Sequence, residues 1–457
     1  MSLHALVAAL VGRGTLIVSS VLLVALGLCQ PVQAQLISTT RAVGGISIDT
    51  NGLLEPTAVD SGGRLRKQRM KVMQQIPDDL NGLTSIRKIS LRRLDAAIQR
   101  CLDSGEDLPD NIRYLAGMQR IQYVFVVPEQ NDVILAGPGE GWTVDKQGFV
   151  VGVTTGRPVL LLDDLLVALR SARQNSRQVI SCSIDPTAEG LQRLREHVAG
   201  LRTIGNPQQT AAGVERTLGK QQISISGVPA TSHFARVLVA ADYRMKRLAM
   251  NFEPSPVKGL PSYLAMIKPG PRGMSNMMPR WWLAPDFAPL LRDAEGTSWE
   301  LQRASVKAMA EEDFLTASGD RKQGGKANPV AQRWADNMTA KYDELALADP
   351  IFGQLRNCID LAVVATLIVK EDMLRKAGCR LSAMTDSSGA EIVSFPAPQE
   401  VDSKASLLKK GRNWLISASG GVKVDPRLVV GRVEKTDSLD ATRVRALARE
   451  HEEWWWN

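Results

Sequence analysis

The side chains that most often carry out catalysis do not form a recognisable set in this sequence. The histidines beyond residue 34 are His197, His233 and His451, which lie far apart, and no His-x-x-x-His or Cys-x-x-Cys pair occurs. A Ser-x-x-Lys pattern occurs at three unrelated places, and the Gly-x-Ser-x-Gly elbow is absent. These observations disfavour zinc, serine and histidine chemistry of the common types.

Carboxylate chemistry is harder to exclude, because glycoside hydrolysis needs only two acids that meet in space. The acids that lie near a long irregular stretch are Asp242, Glu253, Glu311, Glu312 and Asp313. Linear spacing does not select a pair among them. A hydrolase acting on an envelope polysaccharide or on peptidoglycan is therefore kept as the alternative function.

Residues 159–164 (VLLLDD) have the form of a strand that ends in the acids of a nucleotide-binding site. Such a site also needs a phosphate loop, GxxxxGK[ST]. The nearest sequence, from Gly213 to Lys220, is one residue too long and continues into Gln221. We therefore predict that Asp163 and Asp164 cap a helix, where acids favour the positive end of the helix dipole.

Three methionines lie close together at Met274, Met277 and Met278. Thioethers suit Cu(I), so a copper-binding protein is a minor alternative. Methionine also fills packing gaps and adaptable surfaces. We predict no cofactor for the chain.

Five of the nine tryptophans form two clusters, Trp281 with Trp282 and Trp454 with Trp455 and Trp456. Because each tryptophan buries roughly 150–250 Å², the terminal cluster is expected to dock on this chain, on a partner or at a membrane surface. Both clusters are candidate binding residues.

The formal net charge of +8 is concentrated in one segment. Residues 61–93 hold nine cations against Asp78 and Asp79, a net charge of +7, and Arg13 supplies the remaining one, so the rest of the chain is neutral overall. We expect this segment to bind an envelope polyanion, and its candidate residues are Arg64, Arg66, Lys67, Arg69 and Lys71.

The elements that must position these groups alternate between strand and helix from residue 121 to residue 250. This alternation predicts an α/β fold, with a mixed α+β arrangement also possible: a layered mixed sheet with covering helices, followed by a C-terminal helical hairpin. Ser90 and Asp349 are placed as helix caps, the latter just before Pro350. Residues 361–369 are expected to be a buried helix segment, because the run is too short to span a membrane.

The first 34 residues resemble an export signal. Arg13 precedes an uncharged run over residues 15–28, and Val32 and Ala34 occupy the positions of a cleavage site. We expect cleavage after Ala34 and a periplasmic or extracellular location, with an uncleaved anchor or a lipidated Cys29 as alternatives. Export disfavours nucleotide-driven and nucleic-acid functions, and no transmembrane helix is expected in the mature chain.

An oxidising compartment permits disulfides. Four cysteines remain beyond the signal: Cys101, Cys182, Cys358 and Cys379. A bridge between Cys358 and Cys379 is expected to join the ends of one helical element, and four buried free thiols are the alternative.

The predicted organisation follows from these features. It consists of a signal peptide (1–34), a basic N-terminal extension (35–82), an α/β core (83–317) with an irregular Pro/Met-rich region (253–279), a helical hairpin (330–384), a polar linker (385–412), and C-terminal strands, a helix and a tryptophan tail (413–457).

Several strings carry a family resemblance: TGRPVLLLDDLLVALR, ADYRMKRLAM, PRWWLAP, YDELALADPIFGQLRNCIDLAVVATLI and the WWW ending. From about Leu83 onward the chain resembles an uncharacterised family of exported planctomycete proteins, which is known as a domain of unknown function. The resemblance implies no activity, cofactor or site residue. The sequence therefore predicts an exported, envelope-associated binding or scaffold protein whose partner is an envelope polyanion or another protein, with no nucleic acid.

Overall fold

The structure is a computed structural model of the 457-residue chain. The described part of the chain is residues 75–447 without 175–178, 201–205, 270–273, 278, 316–320, 324–327 and 411, together with residues 46–48, 53–56, 63, 66, 67, 70, 71, 73, 455 and 456. The predicted signal peptide and its cleavage site lie outside the described residues.

Twenty strands occur in the described residues. In chain order they are β1 Ile46–Ile48, β2 Leu53–Pro56, β3 Thr84–Ser90, β4 Tyr123–Val127, β5 Asp132–Gly139, β6 Trp142–Val144, β7 Val150–Gly152, β8 Ile180–Pro186, β9 Lys220–Ser226, β10 Met274–Met277, β11 Pro279–Asp286, β12 Leu290–Arg292, β13 Ser298–Glu300, β14 Ser305–Leu315, β15 Arg321–Gln323, β16 Glu400–Asp402, β17 Ser406–Lys410, β18 Arg412–Ile416, β19 Ser419–Val424 and β20 Val433–Lys435.

Fifteen α-helices occur in the same described residues. They are α1 Asp78–Asn81, α2 Leu91–Ser104, α3 Asp110–Arg113, α4 Leu162–Gln174, α5 Ala188–Gly200, α6 Pro207–Leu218, α7 His233–Ala249, α8 Tyr263–Met266, α9 Pro329–Ala340, α10 Tyr342–Ala348, α11 Pro350–Lys370, α12 Met373–Ala377, α13 Ser382–Thr385, α14 Pro426–Val430 and α15 Leu439–Leu447. The predicted α/β class with a C-terminal helical region is confirmed.

The larger sheet has nine strands in the order β1-β2-β16-β9-β8-β19-β11-β14-β15. Strand β8 alternates buried and half-buried residues, so Ile180, Cys182 and Ile184 face the core. Strand β19 pairs with β8 on one side and β11 on the other, and it contains two glycines, Gly420 and Gly421. A Cβ on Gly420, whose φ is +118°, would lie 1.9 Å from the carbonyl oxygen of Trp281, so only glycine fits there.

The second sheet has six strands in the order β20-β12-β13-β4-β5-β3. Strands β4 and β5 form an antiparallel hairpin around a 3₁₀ turn at Pro128–Gln130, and Asn131 adopts a left-handed conformation there. Two small sheets complete the fold: β10-β18-β17, and the hairpin of β6 and β7.

Helices pack on both large sheets. Helix α7 packs on β8 and β19 of the larger sheet, while α2 and α12 pack on the smaller one. Helix α11 packs against α4, α7 and α10. Residues Ala42–Asn457 form one compact unit.

The predicted helix caps are confirmed. The Ser90 side chain accepts a hydrogen bond from the backbone N–H of Arg93, and α2 ends at a left-handed Gly105. The Asp349 side chain accepts one from the N–H of Ile351 at the start of α11. Helix α11 is also long and apolar enough to cross a membrane, but its apolar residues are buried in the fold, as expected for residues 361–369.

The expectation of a polar linker over residues 385–412 is wrong in part. Strand β16 lies inside the larger sheet, parallel to β2 and antiparallel to β9, and Val401 is buried there. Strand β17 begins at Ser406. This polar stretch therefore contributes strands to two sheets. Strands pair through backbone N–H and C=O groups, which polar residues also carry.

Candidate functional site

Three cations of the basic segment lie at the surface. Arg66, Lys67 and Lys71 are exposed, whereas Arg64 and Arg69 lie outside the described residues. The Nε of Arg66 donates a hydrogen bond of 2.9 Å to the carbonyl oxygen of Val144 in β6. This contact attaches the segment to the β6–β7 hairpin.

The charge of Arg87, which also belongs to the basic segment, is directed inward. Its guanidinium is 1% exposed and donates to the carbonyl oxygens of Asp79, Leu80 and Gly82 at 3.5, 3.2 and 3.3 Å. Burial lowers the pKa of Arg87. Counting charges in the sequence therefore overstates the surface charge of residues 61–93.

The candidate Trp281 is a core residue. It is fully buried, its ring centroid lies 5.1 Å from Tyr263 and 4.8 Å from Trp334, and its Nε1 donates to the carbonyl oxygen of Ala331. Its assignment to a binding surface is therefore wrong. The sequence alone does not show which face of β11 is covered by other elements. Its neighbour Trp282 is half-buried, with the Arg280 guanidinium 4.5 Å from its ring.

The terminal tryptophans dock on this chain. The carbonyl oxygen of Trp455 accepts a hydrogen bond from the N–H of Ser90, and Trp456 forms a bridge to Ile89. The Nε1 of Trp456 donates to Asp79 at 2.7 Å. Trp455 and Trp456 are each 5% exposed, so these two residues dock on this chain, which is one of the three expected outcomes, and they are wrong as candidate binding residues. Trp454 lies outside the described residues.

The expected Cys358–Cys379 disulfide is also wrong. The four cysteines of the described residues, Cys101, Cys182, Cys358 and Cys379, are free. Cys358 lies in the middle of α11 and bonds to Asp164, whereas Cys379 follows α12 and lies near Asp132. The helix continues for twelve residues beyond Cys358, or about 18 Å at 1.5 Å per residue.

The copper hypothesis remains a prediction. The backbone of Met274 and Met277 forms β10, and Met278 lies outside the described residues. Within the described part of the chain, one carboxylate cluster has a spacing that suits a metal: Asp293, Glu295 and Asp440. Two of these acids are exposed and Asp293 already accepts from Thr297, so the cluster does not define a metal site.

An open groove of about 780 Å³ lies where α4, α11, α12 and α13 meet. Its floor is apolar, with Ile368, Val369, Leu374 and Leu381. Three guanidinium groups and two carboxylates line it, together with two hydroxyl groups. These polar residues are Arg173, Arg375, Arg380, Asp372, Asp386, Ser382 and Thr385.

The two carboxylates of the groove already have partners. Asp372 accepts from Arg375, and Asp386 lies 3.7 Å from Arg173. Arg380 is exposed. The lining therefore carries one more positive than negative charge, in a groove whose size suits a small ligand or a segment of polymer.

One further cation of the basic segment lies near the groove. Cys379 lines the groove, and Arg92 of α2 lies close enough to affect its thiol. Burial nevertheless raises the pKa of Cys379 to about 12, so this thiol stays protonated and is a poor nucleophile at neutral pH.

A buried ion pair lies at the centre of the contact between α7 and the larger sheet. The Nζ of Lys246 lies 2.8 Å from Asp242, one helical turn away, and donates to the carbonyl oxygens of Ile184 and Gly420, each at 3.1 Å. Asp242 is fully buried, and this burial raises its pKa to about 7. The adjoining cavity, lined by Lys246 and Arg247, holds about 40 Å³.

The cavity beside Lys246 has room for only a few water molecules. Sequence reasoning named Asp242 as a candidate acid but did not find its lysine partner. The four-residue spacing of Asp242 and Lys246 was the available signal, since such residues share a helix face.

The fold and these sites define an α/β protein with an open groove that is lined by three arginines and two aspartates. In this groove the hydroxyl group of Thr385 donates a hydrogen bond of 3.2 Å to Asp386. A family model described as a protein of unknown function (DUF1598) matches residues 182–263, from β8 to the first residue of α8. The matched segment contains Asp242 and Lys246, and the groove lies outside it. No curated protein and no solved structure matches the chain.

Proposed function

We propose that this protein is an exported, non-enzymatic binding protein that holds an anionic component of the cell envelope. The observation that carries the proposal is the 780 Å³ groove lined by Arg173, Arg375 and Arg380. Arginine is well suited to such a ligand, because its planar guanidinium donates paired hydrogen bonds to carboxylates and phosphates.

Other features of the chain support an anionic partner. Arg66, Lys67 and Lys71 are exposed, and exposed cations attract a polyanion over about one Debye length. The signal-like first 34 residues and the resemblance to exported planctomycete proteins support an envelope location.

The hydrolase alternative has less support. A general acid needs a raised pKa and access to substrate. Asp242 has the raised pKa, but it lies beside a cavity of about 40 Å³ that no polymer enters. In the groove, Asp372 and Asp386 already contact arginines.

Groove variants test the proposal. The mature chain is incubated with purified envelope polymer at several salt concentrations, and bound protein is measured. We expect Arg375→Gln/Arg380→Gln to weaken binding by about tenfold or more, because each charged contact to a ligand contributes roughly 1.5–3 kcal/mol.

The matched control is Arg216→Gln, which removes an exposed arginine from α6 in a separate small apolar cluster. Its binding should stay within about twofold of the wild type. Equal losses in the groove and control variants would reduce the proposal to non-specific charge attraction, and wild-type binding in the groove variant would overturn it.

A further inference from the structure

A second group of ionisable side chains lies between three helices, away from the groove. His233 and Arg236 lie one turn apart at the start of α7, Asp164 lies in the first turn of α4, and Cys358 lies in α11. Residues 391–399, an irregular segment called the strap below, cover this group through Phe395.

Arg236 is the unusual member. Its side chain is fully buried, and its Nε, Nη1 and Nη2 have no hydrogen-bond acceptor among the residues that the structure describes. Its guanidinium carbon lies over the Phe395 ring, 4.9 Å from the ring centroid, in a cation–π contact. Burial lowers the pKa of Arg236 to about 10, so the group still carries its charge at neutral pH.

The carboxylate of Asp164 does not accept a hydrogen bond from the Arg236 guanidinium, and its contacts are with His233 and Cys358. Both oxygens of Asp164 lie 3.0 Å from the Nδ1 of His233. Burial opposes protonation of His233, but Asp164 outweighs it and raises the pKa of the imidazole. Asp164 also bonds to the thiol of Cys358, and burial raises the pKa of that thiol further.

An unpaired buried charge is costly, so a fold that retains one needs a compensating group. We propose that Arg236 and His233 form a binding site for a small oxyanion, a carboxylate or a phosphate group, which the strap covers. A guanidinium donates to such a group in pairs. The Nδ1 of His233 faces Asp164, which leaves Nε2 as the ring nitrogen to donate to the ligand, and both His233 and Arg236 lie beside the Phe395 ring.

The strap provides the entrance. It has no helix or strand, most of its residues are at least partly exposed, and the N–H of Phe395 donates to the carbonyl oxygen of Thr231 at 2.8 Å. A segment with so few backbone hydrogen bonds opens at low cost. Moving Phe395 aside uncovers the guanidinium, so the ligand enters without disturbing α4, α7 or α11.

The oxyanion site is independent of the proposed function, because it uses none of the groove residues. Its two ligand-binding side chains, His233 and Arg236, both lie inside the segment that the family model matches.

Thermal unfolding of the full chain tests the site at constant ionic strength, with sodium chloride replaced stepwise by sodium phosphate or by sodium acetate. A ligand that binds only the folded state raises Tm, and we expect a rise of about 2 °C at ten times its Kd. A rise with phosphate alone or with acetate alone identifies which oxyanion the site accepts.

Arg236→Met should abolish this rise. The matched control is Arg87→Met, which also removes a buried arginine but one with three carbonyl acceptors. It should lower Tm and keep the anion-dependent rise. The proposal is overturned if the wild type shows no rise with either anion, or if Arg236→Met keeps it.

His233→Gln gives a second test if Arg236→Met does not fold. We expect its anion affinity to fall by about tenfold, the loss of one charged hydrogen bond. In the wild type, hydrogen exchange of residues 391–399 should slow when the anion is added. Unchanged exchange together with unchanged affinity in His233→Gln would contradict the site.

Discussion

Two fully buried aspartates show how strongly the surroundings of a residue determine its chemistry. Asp360 in α11 is held by Arg120, whose Nε and Nη2 both donate to it and whose Nη2 also donates to the carbonyl oxygen of Ala304. The Oδ2 of Asp242 pairs with Lys246, whereas its Oδ1 accepts no hydrogen bond within the described residues. Burial raises the pKa of both carboxyls, and that of Asp242 reaches about 7.

The raised pKa of Asp242 makes stability depend on pH. The carboxyl binds its proton more tightly in the folded state than in the unfolded one, where its pKa is near 3.8. Its contribution to stability is therefore complete below about pH 4 and is lost as the pH rises towards 7.

We expect Asp242→Asn to remove this loss. Between pH 4 and 7, the slope of the free energy of unfolding against pH should differ from the wild type by up to about 1.4 kcal/mol per pH unit. Urea unfolding at several pH values measures both slopes. Parallel curves would show that Asp242 titrates normally.

At single positions, the sequence predicts local effects better than long-range ones. The caps at Ser90 and Asp349 follow from residues within three positions of each other. The burial of Arg87 and of Asp242 depends on elements that pack from elsewhere in the chain, and the local pattern around each residue does not contain that information.

At the scale of elements, the C-terminal residues complete the smaller sheet. Strand β3 is its edge strand, and Trp455 and Trp456 pair with Ser90 and Ile89 of that strand. At these two positions the edge no longer offers free backbone groups to another chain.

We expect Trp456→Ala to destabilise the fold by about 3–5 kcal/mol, because it removes a large buried ring. Asp79→Asn, which weakens the bond to the indole N–H and removes a negative charge near the buried Arg87, should cost about 1 kcal/mol. Thermal unfolding compares the two variants. A Tm unchanged in Trp456→Ala would mean that the docked ring contributes nothing to the stability of the fold.

Long elements with a clear period were predictable, and short ones were not. Helix α7 and strands β8 and β9 follow their hydrophobic patterns closely. Residues 159–164, whose sequence has the form of a strand, do not form one: a single bridge joins Pro158 to Val151, and α4 begins at Leu162. Strand β16 is three residues long, which is too short to establish a period.

At the scale of the molecule, the α/β class was predictable but the strand order was not. Strand β16, near the C-terminal end of the chain, lies between β2, near its N-terminal end, and β9, in its middle. Such pairings depend on backbone hydrogen bonds between distant segments, and side-chain patterns do not encode their partners.

The distribution of charge over the whole molecule leads to a further prediction. Lys67→Gln/Lys71→Gln removes two exposed cations, so the stability of the fold should change little. We expect the variant to elute from an anionic matrix at lower salt than the wild type, since exposed charges act through a screened field. Elution at the same salt would show that this segment does not contribute to retention.

Helix α11 has a consequence for the chain before it folds. Its 21 residues are long and apolar enough to span a membrane. In an unfolded chain beside a bilayer, this segment can therefore either insert into lipid or fold into the core of the protein. Arg356 and Asp360 would each cost about 2.5–3.5 kcal/mol near the centre of a lipid-embedded helix. Inside the protein they are neutralised by Asp343 and Arg120. The same two charges therefore disfavour insertion of this helix into lipid.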